Sequence, residues 1–217
     1  MKEIRKEISY YLILSLLVII TTLISSCKEN NTSETLKNHF TEDQIQDFNK
    51  INNFFISQAL NNNKSNYKKE LQLLIDELIN NDIIALIKKI DFKKQKELYT
   101  LISKSSFNEL WVFCKSFRKK RIESESFISI CPNHELNNFK NYLKELSKTN
   151  SFAEVCLKSM EDSGDYHIAR FSNYLFQNIN SIDLNNFDNQ FIIAVYFLSL
   201  NDNEQRNEKW SEKNKNE

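Results

Sequence analysis

The chemistry-bearing residues that lie closest together are in the segment Cys131-Pro132-Asn133-His134, where a thiol and an imidazole are separated by two residues. Such a pair supplies either two metal ligands or a nucleophile and its base. A zinc site needs three or four ligands, and the other histidines and cysteines form no second spaced pair. The sequence therefore favours a loop cysteine followed by a helix that carries His134, with no metal and no cofactor.

A second polar cluster surrounds the single glycine, Gly164. Residues 161–167 contain three acidic side chains and His167. An acid beside a histidine can do general acid–base work. Acidic residues are also common at helix ends and in turns, and this second interpretation needs no chemistry. An envelope hydrolase with a site near His134 or His167 is therefore an alternative hypothesis, and the sequence leans against an enzyme.

The charge pattern restricts the partners that the chain can have. It carries 29 basic and 29 acidic residues, so its formal net charge is zero. General nucleic-acid-binding proteins show a basic excess, and we expect no nucleic-acid partner. The basic run 118–121 is interpreted as the solvated end of a helix, where the helix dipole favours cations, ahead of a site for an acidic partner.

The composition predicts the fold class. The chain has one glycine and one proline, whereas sheet proteins need both at hairpins and bulges. The same scarcity excludes Gly-rich phosphate loops and nucleophile elbows. Apolar residues at helical spacing then predict an all-α fold, an irregular bundle of about seven to eight helices.

Helix boundaries follow from capping residues. Three segments have the Ser/Thr-x-x-Glu/Gln pattern of a capping box: Thr41–Gln44, Ser106–Glu109 and Ser151–Glu154. The second opens a predicted helix that carries Trp111 and Cys114 on its apolar face. Gly164 is predicted to end a helix in the left-handed conformation.

Two segments remain open on periodicity alone. Residues 127–131 fit an ordered loop or a short strand. Residues 191–200 are almost wholly apolar and fit a buried strand or a buried helix. Because no partner strand is evident and Asp188 can cap a helix, we predict a central buried helix over 191–200.

Three cysteines follow Cys27, namely Cys114, Cys131 and Cys156. An odd number leaves at least one thiol unpaired in the monomer. Cys114 and Cys156 fall on predicted apolar helix faces, where cysteine acts as a small buried hydrophobe. One disulfide remains an alternative, and Cys131 is then the favoured partner because it lies in a predicted loop.

The first 27 residues have the layout of a secretory signal. Three cations lie within residues 1–7, an apolar run follows over 8–24, and the run ends at Ile24-Ser25-Ser26-Cys27. Its most apolar part, 12–24, is short for a bilayer span, which needs about 20 apolar residues. An uncleaved transmembrane helix is the less favoured alternative.

The segment Ile24-Ser25-Ser26-Cys27 resembles the lipobox of bacterial lipoproteins. The resemblance implies a signal peptide over 1–26, cleavage before Cys27, and lipid (a diacylglyceryl group and an acyl chain such as palmitate) on Cys27. Several acyl chains hold a protein firmly on a membrane. Lys28 differs from the acidic residue that retains some lipoproteins at the inner membrane, so the expected location is the outer membrane, on either face.

Four regions are therefore predicted. They are the signal peptide 1–26, a lipidated terminus and flexible tether 27–39, one helical domain 40–200, and a charged tail 201–217. The leading functional hypothesis is a lipid-anchored, non-catalytic module that binds a protein partner. An immunity-type protein that protects against a toxin is an alternative.

Overall fold

The computed structural model describes residues 33–81, 83–117, 126–135, 138–164, 166 and 168–210. Cys27, the basic run 118–121, Asp165 and His167 lie outside these residues. The helices are α1 (Glu34–His39), α2 (Glu42–Ala59), α3 (Tyr67–Asn81), α4 (Ile84–Lys89), α5 (Phe92–Leu101), α6 (Lys104–Leu110), α7 (Asn138–Leu146), α8 (Ser151–Ser163), α9 (Ile168–Asn178) and α10 (Phe187–Gln205). The strands are β1 (Trp111–Phe117) and β2 (Ser126–Pro132), and a 3₁₀ turn over Lys64–Asn66 precedes α3.

The predicted fold class is confirmed. The described residues form a helical bundle with ten α-helices and one two-stranded sheet. The prediction of about seven to eight helices counted too few. The first helix, α1, was missed because it has a single apolar residue, Leu36, and so gives no periodic signal.

The centre of the bundle is α10, which packs against α2, α4, α5, α8, α9 and β2. Every residue from Phe191 to Ser199 is buried, as expected of a helix that is apolar all round. Aromatic stacking joins α10 to α2, with ring centroids 4.7 Å apart for Phe48 and Phe191. The predicted buried helix over 191–200 is confirmed, but Asn186 rather than Asp188 is its N-cap.

The first capping box and the glycine cap are confirmed. Thr41 Oγ1 accepts a hydrogen bond from the Gln44 amide, and Gln44 Oε1 accepts one from the Thr41 amide. Gly164 has a φ of 65° and ends α8 in the left-handed conformation, where a Cβ atom is disfavoured.

The other two capping boxes place the N-cap one to three residues too late in the chain. Ser103 caps α6 and accepts from the Ser106 amide, so Ser106 lies inside that helix. Asn150 caps α8, and Ser151 is its first residue. The prediction that the helix of Phe107 continues through Cys114 is also wrong, because α6 ends at Leu110 and Trp111 begins β1.

The chain ends of the domain are more ordered than predicted. Residues 33–39 were assigned to the flexible tether, but α1 packs on α7 and Leu36 is fully buried. The charged tail was predicted from residue 201 on, with its first part as a possible extension of the helix. There α10 continues to Gln205, and the side chains of Asp202 and Arg206 are buried.

Candidate binding groove

The hairpin of β1 and β2 is closed by a disulfide between Cys114 and Cys131, whose Cα atoms are 5.9 Å apart. The strands are antiparallel, and Cys114 lies opposite Ser129 while Cys131 lies opposite Val112, so the disulfide crosses the sheet diagonally. The prediction that Cys114 sits on a helix face is therefore wrong, and the alternative of a disulfide through Cys131 fits the structure. Cys156 is a buried free thiol, and burial raises its pKa.

The two strands differ in what lies at their outer edges. The outer edge of β2 is paired, since the Ile128 amide donates to the Glu208 carbonyl at 2.9 Å and the Trp210 amide donates to the Ser126 carbonyl at 3.0 Å. The Ile130 amide donates to Asn203 Oδ1. Within the described residues β2 is the one strand paired with β1, so β1 is the edge strand of the sheet.

An open groove of about 250 Å³ lies where α5 and α6 meet β1. Its polar lining comes from Lys104 and Asn108. Its apolar lining consists of Tyr99, Ile102, Phe107, Val112 and Phe113. Val112 is 40% exposed, which is high for a valine beside other apolar side chains.

The aromatic residues of the groove pack against one another and against Trp111. Ring centroids are 5.2 Å apart for Tyr99 and Phe107, and 5.5 Å apart for Phe107 and Phe113. Trp111 lies below them, fully buried, and its indole N–H donates to Ser199 Oγ of α10 at 2.8 Å. Centroid distances in this range are favourable for aromatic pairs, so the groove walls hold a defined shape.

A buried ion pair supports the groove from below. Arg206 donates to both carboxylate oxygens of Asp202, at 2.7 Å and 2.8 Å. The guanidinium also lies over the Phe113 ring at 5.0 Å, and Tyr99 donates to Asp202 at 3.1 Å. Burial alone would lower the pKa of Arg206, but Asp202 and Glu208 raise it above its usual value.

The position of α6 is set by Asp47 of α2. One carboxylate oxygen accepts hydrogen bonds from the Ser103 amide at 2.8 Å and the Ser106 hydroxyl at 2.7 Å, and the other accepts from Lys50. Burial would raise the pKa of Asp47, but these hydrogen bonds outweigh it and lower the pKa to about 2. Asp47 therefore fixes the start of the helix that carries Lys104, Phe107 and Asn108.

Cys131 and His134, the thiol and imidazole that lie close in sequence, make separate structural contacts. The sulfur of Cys131 is bonded to Cys114 and supplies no thiolate. The His134 side chain is exposed, and its Nε2 lies 2.9 Å from the Gly164 carbonyl oxygen. His134 thus ties the start of the α7 segment to the end of α8.

The polar cluster around Gly164 is divided among structural contacts. Asp162 pairs with Arg170, and Glu161 pairs with Lys140 at 3.2 Å. Tyr166 is buried and donates to the Leu110 carbonyl at 2.6 Å. His167 lies outside the described residues, as does Asp165. Among the described residues no group of three metal-ligating side chains occurs.

Two features were missed from sequence. His39 of α1 lies 2.9 Å from Glu145 of α7, and these residues are too far apart in the chain for a motif. Asp188 is 1% exposed; its Oδ1 accepts from Ser33 and Tyr142, whereas Oδ2 has no hydrogen-bond partner among the described residues. Burial raises the pKa of Asp188.

A second cavity, of about 480 Å³, lies at the start of α3. Lys64, Lys68 and Lys69 line it together with asparagine side chains, and Leu73 lies at its margin. These lysines are exposed, so this cavity is more polar than the groove.

No family model, curated protein or solved structure matches the chain. Among the described residues no helix is both long enough and apolar enough to cross a bilayer.

Proposed function

We propose that this protein is a lipid-anchored, non-catalytic module of the bacterial envelope that binds a partner protein through the groove between α5, α6 and β1. The observation that carries the proposal is an open apolar groove at a strand edge, with walls fixed by a disulfide, an aromatic cluster and a buried ion pair. Rigid walls favour binding because little conformational freedom is lost when a partner docks.

The anchor part of the proposal rests on the lipobox-like segment that ends at Cys27. The described part of the domain begins at Ser33, so six peptide units separate it from Cys27 and span at most about 20 Å. The domain would therefore act close to the membrane surface. Lys28 supports an outer-membrane location, on either face.

The chemistry of the groove supports binding over hydrolysis. Its lining is mainly apolar, with one lysine and one asparagine. Hydrolysis needs an activated nucleophile or water beside a base, and neither Cys131 nor His134 is placed for this. An immunity-type protein would use the same groove, with a toxin as the partner.

The anchor is tested by mass spectrometry of the protein purified from bacterial membranes. We expect a mature N-terminus at Cys27 with a mass increase from its acyl groups, and release of the Cys27→Ser variant from the membrane fraction. An intact Met1 terminus, or a Cys27→Ser variant that is processed and retained as before, would refute the anchor.

The groove is tested by quantitative co-purification from the membranes of the native bacterium. A charge at position 112 places a carboxylate in an apolar site, and Val112→Glu should lose a partner that the unaltered chain retains. Leu73→Glu is the matched control, because Leu73 is 45% exposed and lies away from the groove, at the second cavity. Equal retention by both variants would show that the groove is not the binding site.

A further inference from the structure

We infer that the partner contributes an extended segment that adds to the outer edge of β1, with an apolar side chain in the groove and an acidic side chain near Lys104. This inference rests on the proposed function and specifies how the same groove binds.

The direction of the β1 peptide groups follows from the pairing of β2. The amides of Ile128 and Ile130 donate away from β1, to Glu208 and Asn203. In an antiparallel ladder successive residues alternate in direction, so the peptide groups of Ser129 and Cys131 face β1. Their partners in the register are Cys114 and Val112.

The intervening residue of β1, Phe113, therefore directs its N–H and C=O away from β2. Phe113 lies opposite Ile130, and the two residues form no hydrogen bonds with each other in this ladder. The outer edge at Phe113 offers one donor and one acceptor beside the groove. An unpaired strand edge of this kind is a template for another extended segment.

The groove runs along this edge. Side chains of successive strand residues point to opposite faces of a sheet. Val112 and Phe113 are successive, and both line the groove, so the groove borders the edge of β1 rather than one face. The residues from α5 and α6 form its other wall. A segment paired with β1 would thus place every second side chain toward the aromatic cluster.

Charge favours an acidic residue in that segment. Lys104 is exposed at the rim of the groove, and no described side chain forms an ion pair with its ammonium group. A carboxylate on the partner would pair with it and fix the direction of the segment. A second copy of this chain, paired about a twofold axis, would instead bring two identical edges with the same cations together. An acyl chain has no groups that could bond to Phe113.

The test uses random linear octapeptides displayed on phage and selected on the full chain in detergent micelles. We expect enriched peptides with an apolar residue and an acidic residue, retained by the Leu73→Glu chain and lost by the Val112→Glu chain. The best peptide is then synthesised in eight forms, each N-methylated at one residue. One lost hydrogen bond costs about tenfold in affinity, so methylation of the one residue whose N–H pairs with the Phe113 carbonyl should weaken binding about tenfold. Methylation of its two neighbours, whose N–H groups point away from β1, should leave the affinity almost unchanged.

The outcomes separate the inference from the proposed function. Peptides that depend on Val112 but tolerate every methylation would overturn strand addition and leave the groove as the binding site. Peptides that bind the Val112→Glu chain equally well, or a selection without enrichment, would overturn both. A dimer of the full chain that Val112→Glu dissociates would assign the edge to a second copy and overturn the inference. Slower exchange of the Phe113 amide in the complex, measured by NMR, would support strand addition directly.

Discussion

The two ends of α10 each carry a buried aspartate, and the two carboxylates are satisfied in different ways. Asp202 is fully buried and accepts two hydrogen bonds from Arg206 and one from Tyr99. Asp188 is 1% exposed and accepts only hydroxyl hydrogen bonds, from Ser33 and Tyr142, on one of its oxygens. Asp202 is thus paired with a cation, whereas Asp188 has no cationic partner among the described residues.

The difference matches what each end supports. The Asp202 end lies beneath the groove and fixes Tyr99 and Phe113, which line it. The Asp188 end holds Ser33, the first described residue after Cys27. A paired buried charge gives a rigid site, whereas an unpaired buried acid gives a contact that depends on protonation. We therefore assign rigidity to the end at the proposed binding groove, and a weaker, pH-dependent contact to the anchor end, named for the proposed anchor at Cys27.

The largest effect is expected from Arg206→Met. This change leaves the Asp202 carboxylate buried without its cation, and the free energy of unfolding should fall by about 3–5 kcal/mol. Urea denaturation followed by circular dichroism measures it. The double variant Asp202→Leu, Arg206→Met removes both charges and should recover most of the loss. A loss below about 1 kcal/mol for the single variant would mean that the pair behaves like an exposed one.

The disulfide is expected to rank second. Cys114 and Cys131 are 17 residues apart in the chain, and replacing both by serine opens the loop that the disulfide closes. In the chain-entropy account this lowers the free energy of unfolding by about 3 kcal/mol. Thermal unfolding should shift to lower temperature while the helical signal of the folded state stays. Cys156→Ala is the control, since it removes the free thiol and keeps the disulfide. An unchanged melting temperature for the double variant would contradict a structural role.

Ser33→Ala tests the anchor end and should have a smaller effect. The change removes the side-chain cap of α1 and the hydrogen bond to Asp188, at a cost of about 1–2 kcal/mol. The effect should be local, so the amides of Leu36 and Phe40 should exchange faster with solvent while those of α10 do not. Ser147→Ala, which removes a hydroxyl bonded to its own helix end, should leave this exchange unchanged.

The smallest effect is a pH dependence at Asp188. Burial raises its pKa in the folded state above the unfolded value, so the stability that it contributes is complete below about pH 4 and is lost as pH rises through the folded pKa. The free energy of unfolding of the unaltered chain, relative to Asp188→Asn, should therefore decrease from pH 4 to pH 7. A difference that grows with pH would reverse the assignment.

Asp47 provides the opposite sign for comparison. Its pKa is lowered to about 2, so its contribution is present above about pH 4 and is lost as pH falls toward 2. The same titration on Asp47→Asn should show this second window. The two pH ranges distinguish Asp188, whose charged form is disfavoured by burial, from Asp47, whose charged form is stabilised by hydrogen bonds.

The helical class and several helix limits were predictable because local chemistry sets them. The capping box at Thr41 and the left-handed Gly164 involve residues within one turn of the chain. The apolar run 191–200 could be assigned as a buried helix, because the sequence pattern showed no second strand with which it could pair. These signals act over a few residues and survive in a single sequence.

The groove was not predictable because its parts are distant in the chain. Trp111 and Cys114 have helical spacing relative to Phe107, yet pairing with residues 126–132 turns 111–117 into a strand. The pairing and the disulfide are tertiary effects that override local spacing. Arg206 looked like part of a charged tail, and only its contact with Asp202 explains its burial. Local signals for a strand were present in both segments: β-branched and aromatic residues lie at 111–113, and a short strand was one of the two alternatives for 127–131.

The most direct test of the central claim is photocrosslinking in living cells of the native bacterium. A benzophenone amino acid replaces Val112 in one full chain and Leu73 in another, with Cys27 intact in both. The groove account predicts a discrete protein adduct from position 112 and none from position 73, and a loss of the adduct when Cys27→Ser releases the chain from the membrane. Adducts of the same mass from both positions, or none from position 112, would contradict it.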